Sequence, residues 1–288
     1  MIPVALFGAG GKMGSRICDN LKDSEYRLLP VEVSPTGIEN LRRRGLAPVS
    51  PAAALREADV VVLAVPDNRI GEIAADAVPR MRAGAMLVCL DAAAPHAGRL
   101  PARPDVSYFV THPCHPSVFN HERDPEAARD YFGGIKARQN IVCALLQGPE
   151  ADYARGEALC RRMFAPVVRA HRVTVEQLAL LEPALAETVA ATCIVVVREA
   201  MEEAIRRGVP REAARDFLLG HLNIELAIVF EEIPVPFSDG ARKAIEEAKA
   251  RLFRPDWKQL FEPEAVRASV ERITRPPAPG PEAAGGSP

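Results

Sequence analysis

Several function classes are removed by what the 288-residue sequence lacks. Its 36 basic and 38 acidic residues leave a formal charge of −2, so no global field draws in nucleic acid or an anionic membrane. No CxxC pair occurs among Cys18, Cys89, Cys114, Cys143, Cys160 and Cys193, and neither a disulfide framework nor a zinc knuckle is indicated. No stretch approaches the ~20 uninterrupted apolar residues of a bilayer span; Val60–Val65 and Ile194–Val197 are the richest runs. The opening residues lack the basic region of a secretory signal, and the expectation is a soluble, cytoplasmic protein. No internal repeat is evident. At 48% hydrophobic and 26% charged, the composition is that of a folded globular chain.

From Ile2 to about Ala170, short β-branched runs alternate with helical patterns, the rhythm of βαβ units. Strands are expected at Pro3–Phe7, Arg27–Val33, Val60–Val65, Met86–Leu90, Ser107–Val110, Ile141–Leu146 and Pro166–Arg169. Several are apolar without alternation, as when helices cover both faces of a sheet. The fold class is therefore α/β: a Rossmann, doubly wound, mainly parallel sheet over residues 1–172, followed by an all-α domain over 173–275. Thr174-Val-Glu-Gln177 reads as a capping box, and helical periodicity then runs to Arg207. A helix of that length extends about 50 Å, and its apolar positions spread around the circumference from Val189 to Val197. Such a helix needs cover on several sides, which predicts a homodimer. Pro183 is expected to kink it and free a carbonyl beside Glu182. Further helices are expected over Pro210–Phe230, Gly240–Leu252 and Pro263–Ile273, and residues 276–288 are too rich in Pro and Gly to fold.

Gly8-Ala-Gly10-Gly11-Lys12-Met13-Gly14 lies between the first strand and a helical segment. In that context the glycines let the backbone approach a pyrophosphate, whose charge the amino end of the helix stabilises. The second strand carries Glu32, 18 residues after Gly14, where a carboxylate accepts from the adenosine ribose hydroxyls. That favours NAD. Arg42, Arg43 and Arg44 are the alternative counter-charge for a 2′-phosphate. Val65 and Pro66 end the next strand and either line the nicotinamide side or simply terminate it.

Two segments at strand ends hold candidate chemistry: Asp91 to His96, and Thr111-His112-Pro113-Cys114-His115-Pro116. His112 and His115, stiffened by two prolines, can take a proton from a substrate hydroxyl as hydride leaves; the alternative is a rigid loop with solvated histidines. His221 and Glu225 share one helical face, and Glu182 and Glu187 flank Pro183. Glu187, His221 and Glu225 are the candidate ligands for a divalent cation such as Mg²⁺, against solvated surface groups. Lys136, Arg138 and Asn140 are candidates to hold a substrate carboxylate, against an ordinary charged loop.

The glycine turn, Glu32, Val65-Pro66 and the helical second part together resemble the 6-phosphogluconate dehydrogenase-like superfamily. The His112-Pro113 pair is similar to prephenate dehydrogenases. The glycine-rich helix with the catalytic lysine of β-hydroxyacid dehydrogenases has no counterpart; Glu176–Glu187 occupies that region. Thr111–Pro116, Gly133-Gly-Ile-Lys-Ala-Arg-Gln-Asn140 and Leu181-Glu-Pro-Ala-Leu-Ala-Glu-Thr188 most resemble the D-apionate oxidoisomerase family. That resemblance implies NAD-dependent oxidation of a branched sugar acid at its 2-hydroxyl, then migration of the carboxylate to give 3-oxo-isoapionate. It also implies, by analogy with ketol-acid reductoisomerase, a role for Mg²⁺ near His221, Glu225 and Glu187. A hydroxyacid dehydrogenase without skeletal change, and a non-catalytic NAD(H) sensor, remain the alternatives.

Overall fold

The computed structural model describes residues 1–275; the tail expected at 276–288 lies outside them. The described residues divide into two units, residues 1–183 with 266–275, and residues 184–265. By contacts the first unit extends to Pro183, past position 172, and takes in the last helix from Val266.

The first unit is built on a seven-stranded sheet in the order β2-β1-β3-β4-β5-β6-β7. Its strands are β1 (Ile2–Phe7), β2 (Tyr26–Val31), β3 (Val60–Leu63), β4 (Met86–Cys89), β5 (Ser107–Pro113), β6 (Gln139–Gln147) and β7 (Val167–Arg172). All seven expected strands are present. Only the β5–β6 pair is antiparallel. The helices of this unit are α1 (Lys12–Leu21), α2 (Pro35–Arg43), α3 (Pro51–Glu57), α4 (Asp67–Ala77), α5 (Ala93–His96), α6 (Ala151–Met163), α7 (Val175–Ala179) and, late in the chain, α11 (Pro263–Ile273). Alternate residues of β1 feed opposite layers: Val4 and Leu6 pack with Ile17, Phe109 and Cys160, whereas Ala5 and Phe7 pack with Leu29, Val61 and Ile70. Burial on both faces explains the unbroken apolar strands. The order reverses at β1, so the carboxyl ends of β1 and β3 form the crevice where ligands of open α/β sheets bind.

Local signals set the helix starts. Ser34 and Ser50 cap α2 and α3, each followed by proline at the first helical position. The capping box at Thr174 forms as expected, with Thr174 Oγ1 accepting from Gln177 N at 3.2 Å and Gln177 Oε1 from Thr174 N at 2.9 Å.

Beyond α7 the helix does not continue in α register. Leu180–Ala191, which contains Pro183, is π-helical, and α8 (Thr192–Arg206) follows. Proline has no N–H to donate, and the wider register accommodates that gap. The second unit holds α8, α9 (Arg211–Val229) and α10 (Asp239–Leu252). No residue of α8 is buried and only Ala214 of α9 is, while Ile194, Val195, Val196, Phe217 and Ile224 stand exposed. By length and composition, the continuous helix Val175–Arg206 is long and apolar enough to cross a membrane, with a mean hydropathy of 1.8 over its most apolar window. Isolated charged residues such as Glu182 and Glu187 divide its apolar positions, so it contains no uninterrupted apolar run of that length.

Candidate active site

The glycine turn follows β1 directly. Gly8 has φ +74°, and a Cβ there would sit 2.2 Å from the Ala64 carbonyl oxygen, so only glycine lets β1 and the end of β3 approach. Gly14 lies against the turn itself: a Cβ would meet Gly8 O at 2.1 Å. The turn is closed by Gly11 N donating to Gly8 O at 3.0 Å. Helix α1 then begins at Lys12, with Gly11 at its cap and no side chain bonded there. Its first turn presents backbone N–H groups and positive dipole, an anion site by construction. Met13 packs on the core beside it. Val65 packs against the other core layer and touches Gly8 along the line a Cβ would take, and Pro66 caps α4.

Glu32 braces this turn as well as facing it. Its Oε2 accepts from Gly10 N at 2.9 Å, and its Oε1 from Val33 N and Ser34 N at 2.8 and 2.9 Å. Burial raises its carboxyl pKa, but backbone N–H groups of Ser34, Gly10 and Val33 outweigh that and hold it below the ordinary value. A carboxylate offers about four acceptor positions, so roughly one, on Oε2, remains for a ribose hydroxyl. A 2′-phosphate at this point meets a fixed negative charge. Of the three arginines nearby in sequence, Arg42 and Arg43 pair with Glu39 and Arg44 with Asp19 at 3.3 Å. Sequence reasoning missed two supports of this corner. Asn40 Nδ2 donates to Gly10 O at 2.9 Å, and Gly37 is the bare surface on which the Glu32 carboxylate rests.

From the start of α1, a string of contacts leads to the histidines. Lys12 Nζ lies 3.2 Å from the centroid of the Phe132 ring. Phe132 meets the His115 ring edge to face, and its carbonyl oxygen is 2.9 Å from His115 Nδ1. His115 in turn stands edge to face with His112 at 5.7 Å. His115 has φ +59°, a left-handed conformation costing a non-glycine residue about 1–3 kcal/mol, which the flanking prolines and the Phe132 contact sustain. His112 is not in a loop as expected. It lies on β5, which runs through Pro113 and pairs His112 with Val142.

His112 Nδ1 is 2.8 Å from the Pro113 carbonyl oxygen, and its Nε2 is 3.5 Å from Glu182 Oε1. A carbonyl can only accept, so Nδ1 carries a proton and Nε2 is the nitrogen that faces Glu182. Asp91, just past β4, completes a group in which one donor atom from each of Asp91, His112 and Glu182 lies within 4.8 Å of the others. Asp91 Oδ1 accepts from Ala93 N at 2.6 Å, which fixes its carboxylate. Among the described residues this is the one His/Cys/Asp/Glu group suited to a metal ion. Its acids had a sequence signal in their positions, at a strand end and beside Pro183, but no spacing motif.

The expected cation ligands Glu187, His221 and Glu225 are not part of that group; they belong to the second unit. His221 stacks on Phe217 at 4.0 Å with Nδ1 2.8 Å from the Phe217 carbonyl oxygen, and it lines an apolar groove together with Glu225 and Met201. Aromatic stacking on one's own helix is the structural alternative to ligation. Nor do Lys136, Arg138 and Asn140 converge on an open carboxylate site. Lys136 pairs with Asp124 at 3.3 Å and Glu126 at 2.5 Å, Arg138 with Glu122 at 3.2 Å, and Asn140 Oδ1 accepts from Arg169 N. Acids from the preceding loop meet these charges. The loop itself is gathered by Asp130, which the sequence did not reveal: its Oδ2 accepts from the backbone N–H groups of Ile135, Lys136 and Ala137.

Comparison with known proteins places the chain in a family. Residues 3–99 match the NAD binding domain of 6-phosphogluconate dehydrogenase, and residues 120–274 match the phosphogluconate dehydrogenase (decarboxylating) C-terminal domain. A D-apionate oxidoisomerase from Cupriavidus necator is 57% identical over 94% of this chain and 99% of its own, and one from Rhizobium rhizogenes is 54% identical over 95% and 100%. A crystal structure of a semialdehyde dehydrogenase NAD-binding protein from Cupriavidus necator, in complex with calcium and NAD, superposes with a TM-score of 0.93 at 57% identity, covering 95% of this chain and 100% of the other. The chain belongs to the D-apionate oxidoisomerase family of phosphogluconate dehydrogenase-like, NAD-binding oxidoreductases.

Proposed function

We propose that the protein oxidises the 2-hydroxyl of D-apionate with NAD and rearranges the resulting 2-oxo acid to 3-oxo-isoapionate. One observation carries the reading: nearly full-length identity of 57% to a D-apionate oxidoisomerase. The geometry supports it. α1 and Glu32 hold the diphosphate and the adenosine ribose, and the histidines stand at the carboxyl ends of the strands, where the reacting end of the cofactor lies in this fold.

In the first step the C2–H bond gives its electron pair to the nicotinamide as hydride, and the C2–OH proton goes to an imidazole of the His112–His115 pair. C2 is oxidised and NAD is reduced. In the second, the tertiary C3–OH loses its proton and C3 becomes a carbonyl, as the bond from C3 to a hydroxymethyl group re-forms at C2. The C2 carbonyl oxygen takes up a proton, and no redox equivalent is consumed. Electron balance therefore moves a hydroxymethyl group, while the carboxylate stays on C2; this revises the carboxylate migration that the resemblance implied.

A divalent cation, such as the Mg²⁺ considered from the sequence, would polarise the C2 carbonyl and stabilise the C3 alkoxide. The calcium in the relative's structure supports a place for one, and Asp91, His112 and Glu182 have the donors to hold it. We further propose a cytoplasmic homodimer. Six free cysteines suit a reducing compartment, and the exposed apolar faces of α8 and α9 suit cover by a second copy. The experiment for the reaction is absorbance of NADH on mixing enzyme, NAD and D-apionate, followed by NMR of the product. Silence with D-apionate, while another aldonate reacts, would replace the substrate.

A further inference from the structure

We propose that Asp91, His112 and Glu182 bind a divalent cation of the Mg²⁺ or Mn²⁺ type that chelates the substrate through two of its oxygens, and that His115 alone is the base for the C2 hydroxyl. The inference rests on reading the reaction as oxidation of a 2-hydroxy acid. It moves the ion from the second unit, where the sequence put it, to the strand ends of the first.

The sheet register brings the first two ligands together. β4 and β5 are parallel neighbours with Cys89 opposite Val110. Two residues further along each strand are Asp91 and His112, which by the alternation of strands fall level and on the same face. Glu182 comes from the π-helical segment beside Pro183, and π turns inside helices are frequent at functional sites.

The chemistry of the donors matches an ion better than a simple charge pair. His112 Nδ1 is committed to the Pro113 carbonyl, the arrangement that metal-bound histidines use to present the other nitrogen as ligand. The 3.5 Å between His112 Nε2 and Glu182 Oε1 is long for a hydrogen bond. Donors at about 2.1 Å from a common ion lie within about 4.2 Å of one another, so this group, whose donors lie within 4.8 Å, needs only a small closing of its side chains to hold one. Two carboxylates and a neutral imidazole offset the double positive charge. Three protein ligands leave about half of an octahedral sphere for the C2 oxygen and a neighbouring oxygen of the substrate. Asp91 is already oriented by its bond from Ala93 N.

A histidine whose lone pair is on a cation cannot also take a proton, so the second imidazole becomes the base. His115 has its Nδ1 on the Phe132 carbonyl and its ring against His112. A neutral His115 with the Nδ1 proton donated there keeps an accepting Nε2.

The test is Mn²⁺ titration of the full-length protein followed by electron paramagnetic resonance, with NAD binding measured in parallel by calorimetry. Asp91→Asn, His112→Ala and Glu182→Gln are each expected to weaken Mn²⁺ at least tenfold and to keep NAD binding. His115→Ala keeps both Mn²⁺ and NAD and loses NADH formation by 10²–10⁴-fold. In the unaltered protein, Mn²⁺ is expected to broaden the imidazole NMR signals of His112, a readout that needs no variant to fold. Absent Mn²⁺ binding by the native chain, sharp His112 signals, unchanged Mn²⁺ affinity in the three ligand variants, or loss of Mn²⁺ with His115→Ala would each overturn the proposal. Turnover of D-apionate with unchanged Mn²⁺ affinity in the variants removes the site and keeps the reaction. Mn²⁺ on His112 without turnover of D-apionate does the reverse.

Discussion

Glu32 illustrates how one side chain can serve fold and specificity together. Three backbone N–H groups converge on it, tying the glycine turn to the start of α2, and the position that remains faces the ribose. Glu32→Gln replaces one accepting oxygen by a donor that cannot pair with N–H groups. Calorimetry is expected to show NAD binding weakened roughly tenfold or more, about 1.4 kcal/mol. Because the folded carboxyl pKa lies below its ordinary value, this group's stabilisation is fully present above the unfolded pKa of about 4.3 and is lost as pH falls through the folded value. The wild-type melting temperature should drop more steeply on acidification below that point than that of Glu32→Gln. Coincident acid limbs would show that the brace contributes nothing. At Gly14 the limit is space: Gly14→Ala puts a carbon 2.1 Å from Gly8 O, and a cost of about 1–3 kcal/mol is expected in denaturant unfolding, with loss of NAD affinity.

At the level of elements, the loop between β5 and β6 carries Phe132 to the start of α1 and is shaped by Asp130. Gly133 and Gly134 both have positive φ, and Asp130 Oδ2 collects the three N–H groups that follow. Asp130→Ala strands those donors and is expected to cost about 1–3 kcal/mol in unfolding free energy. A lower kcat should accompany it, since Phe132 holds Lys12 and His115. Unaltered kcat would separate the loop from the chemistry. The strands and helix caps of the first unit were legible in the sequence because each is a local signal: β-branched runs for β1 and β3, Ser or Thr with Pro or Gln for the helix starts. The π register around Pro183 was visible only as a disturbance, since proline announces a missing donor without saying how the helix will absorb it.

For the whole molecule, the glycine turn and Glu32 could be read as one corner because strand, turn and acid are close in the chain. The cluster of Asp91, His112 and Glu182 could not, because a parallel sheet brings together residues separated by two crossovers and a helix. His221 and Glu225 drew attention through local i,i+4 spacing, and Phe217, one turn back, claims that imidazole instead. The long helix was likewise half legible: its apolar positions point all around, and α8 has no buried residue, but whether a second copy covers it is decided outside a single chain. Sedimentation is expected to give a dimer, and Val195→Glu together with Ile224→Glu to give a monomer; a wild-type monomer would refute the proposed cover.

The reaction itself is tested most directly by carbon NMR of the product formed from D-apionate labelled with ¹³C at C1 and C2. The account predicts one NADH per product molecule, and a labelled carboxyl still coupled to C2, now a quaternary carbinol carbon bonded to a hydroxymethyl group and a ketone. A 2-oxo acid with the original skeleton, or a labelled carboxyl no longer coupled to C2, would contradict it.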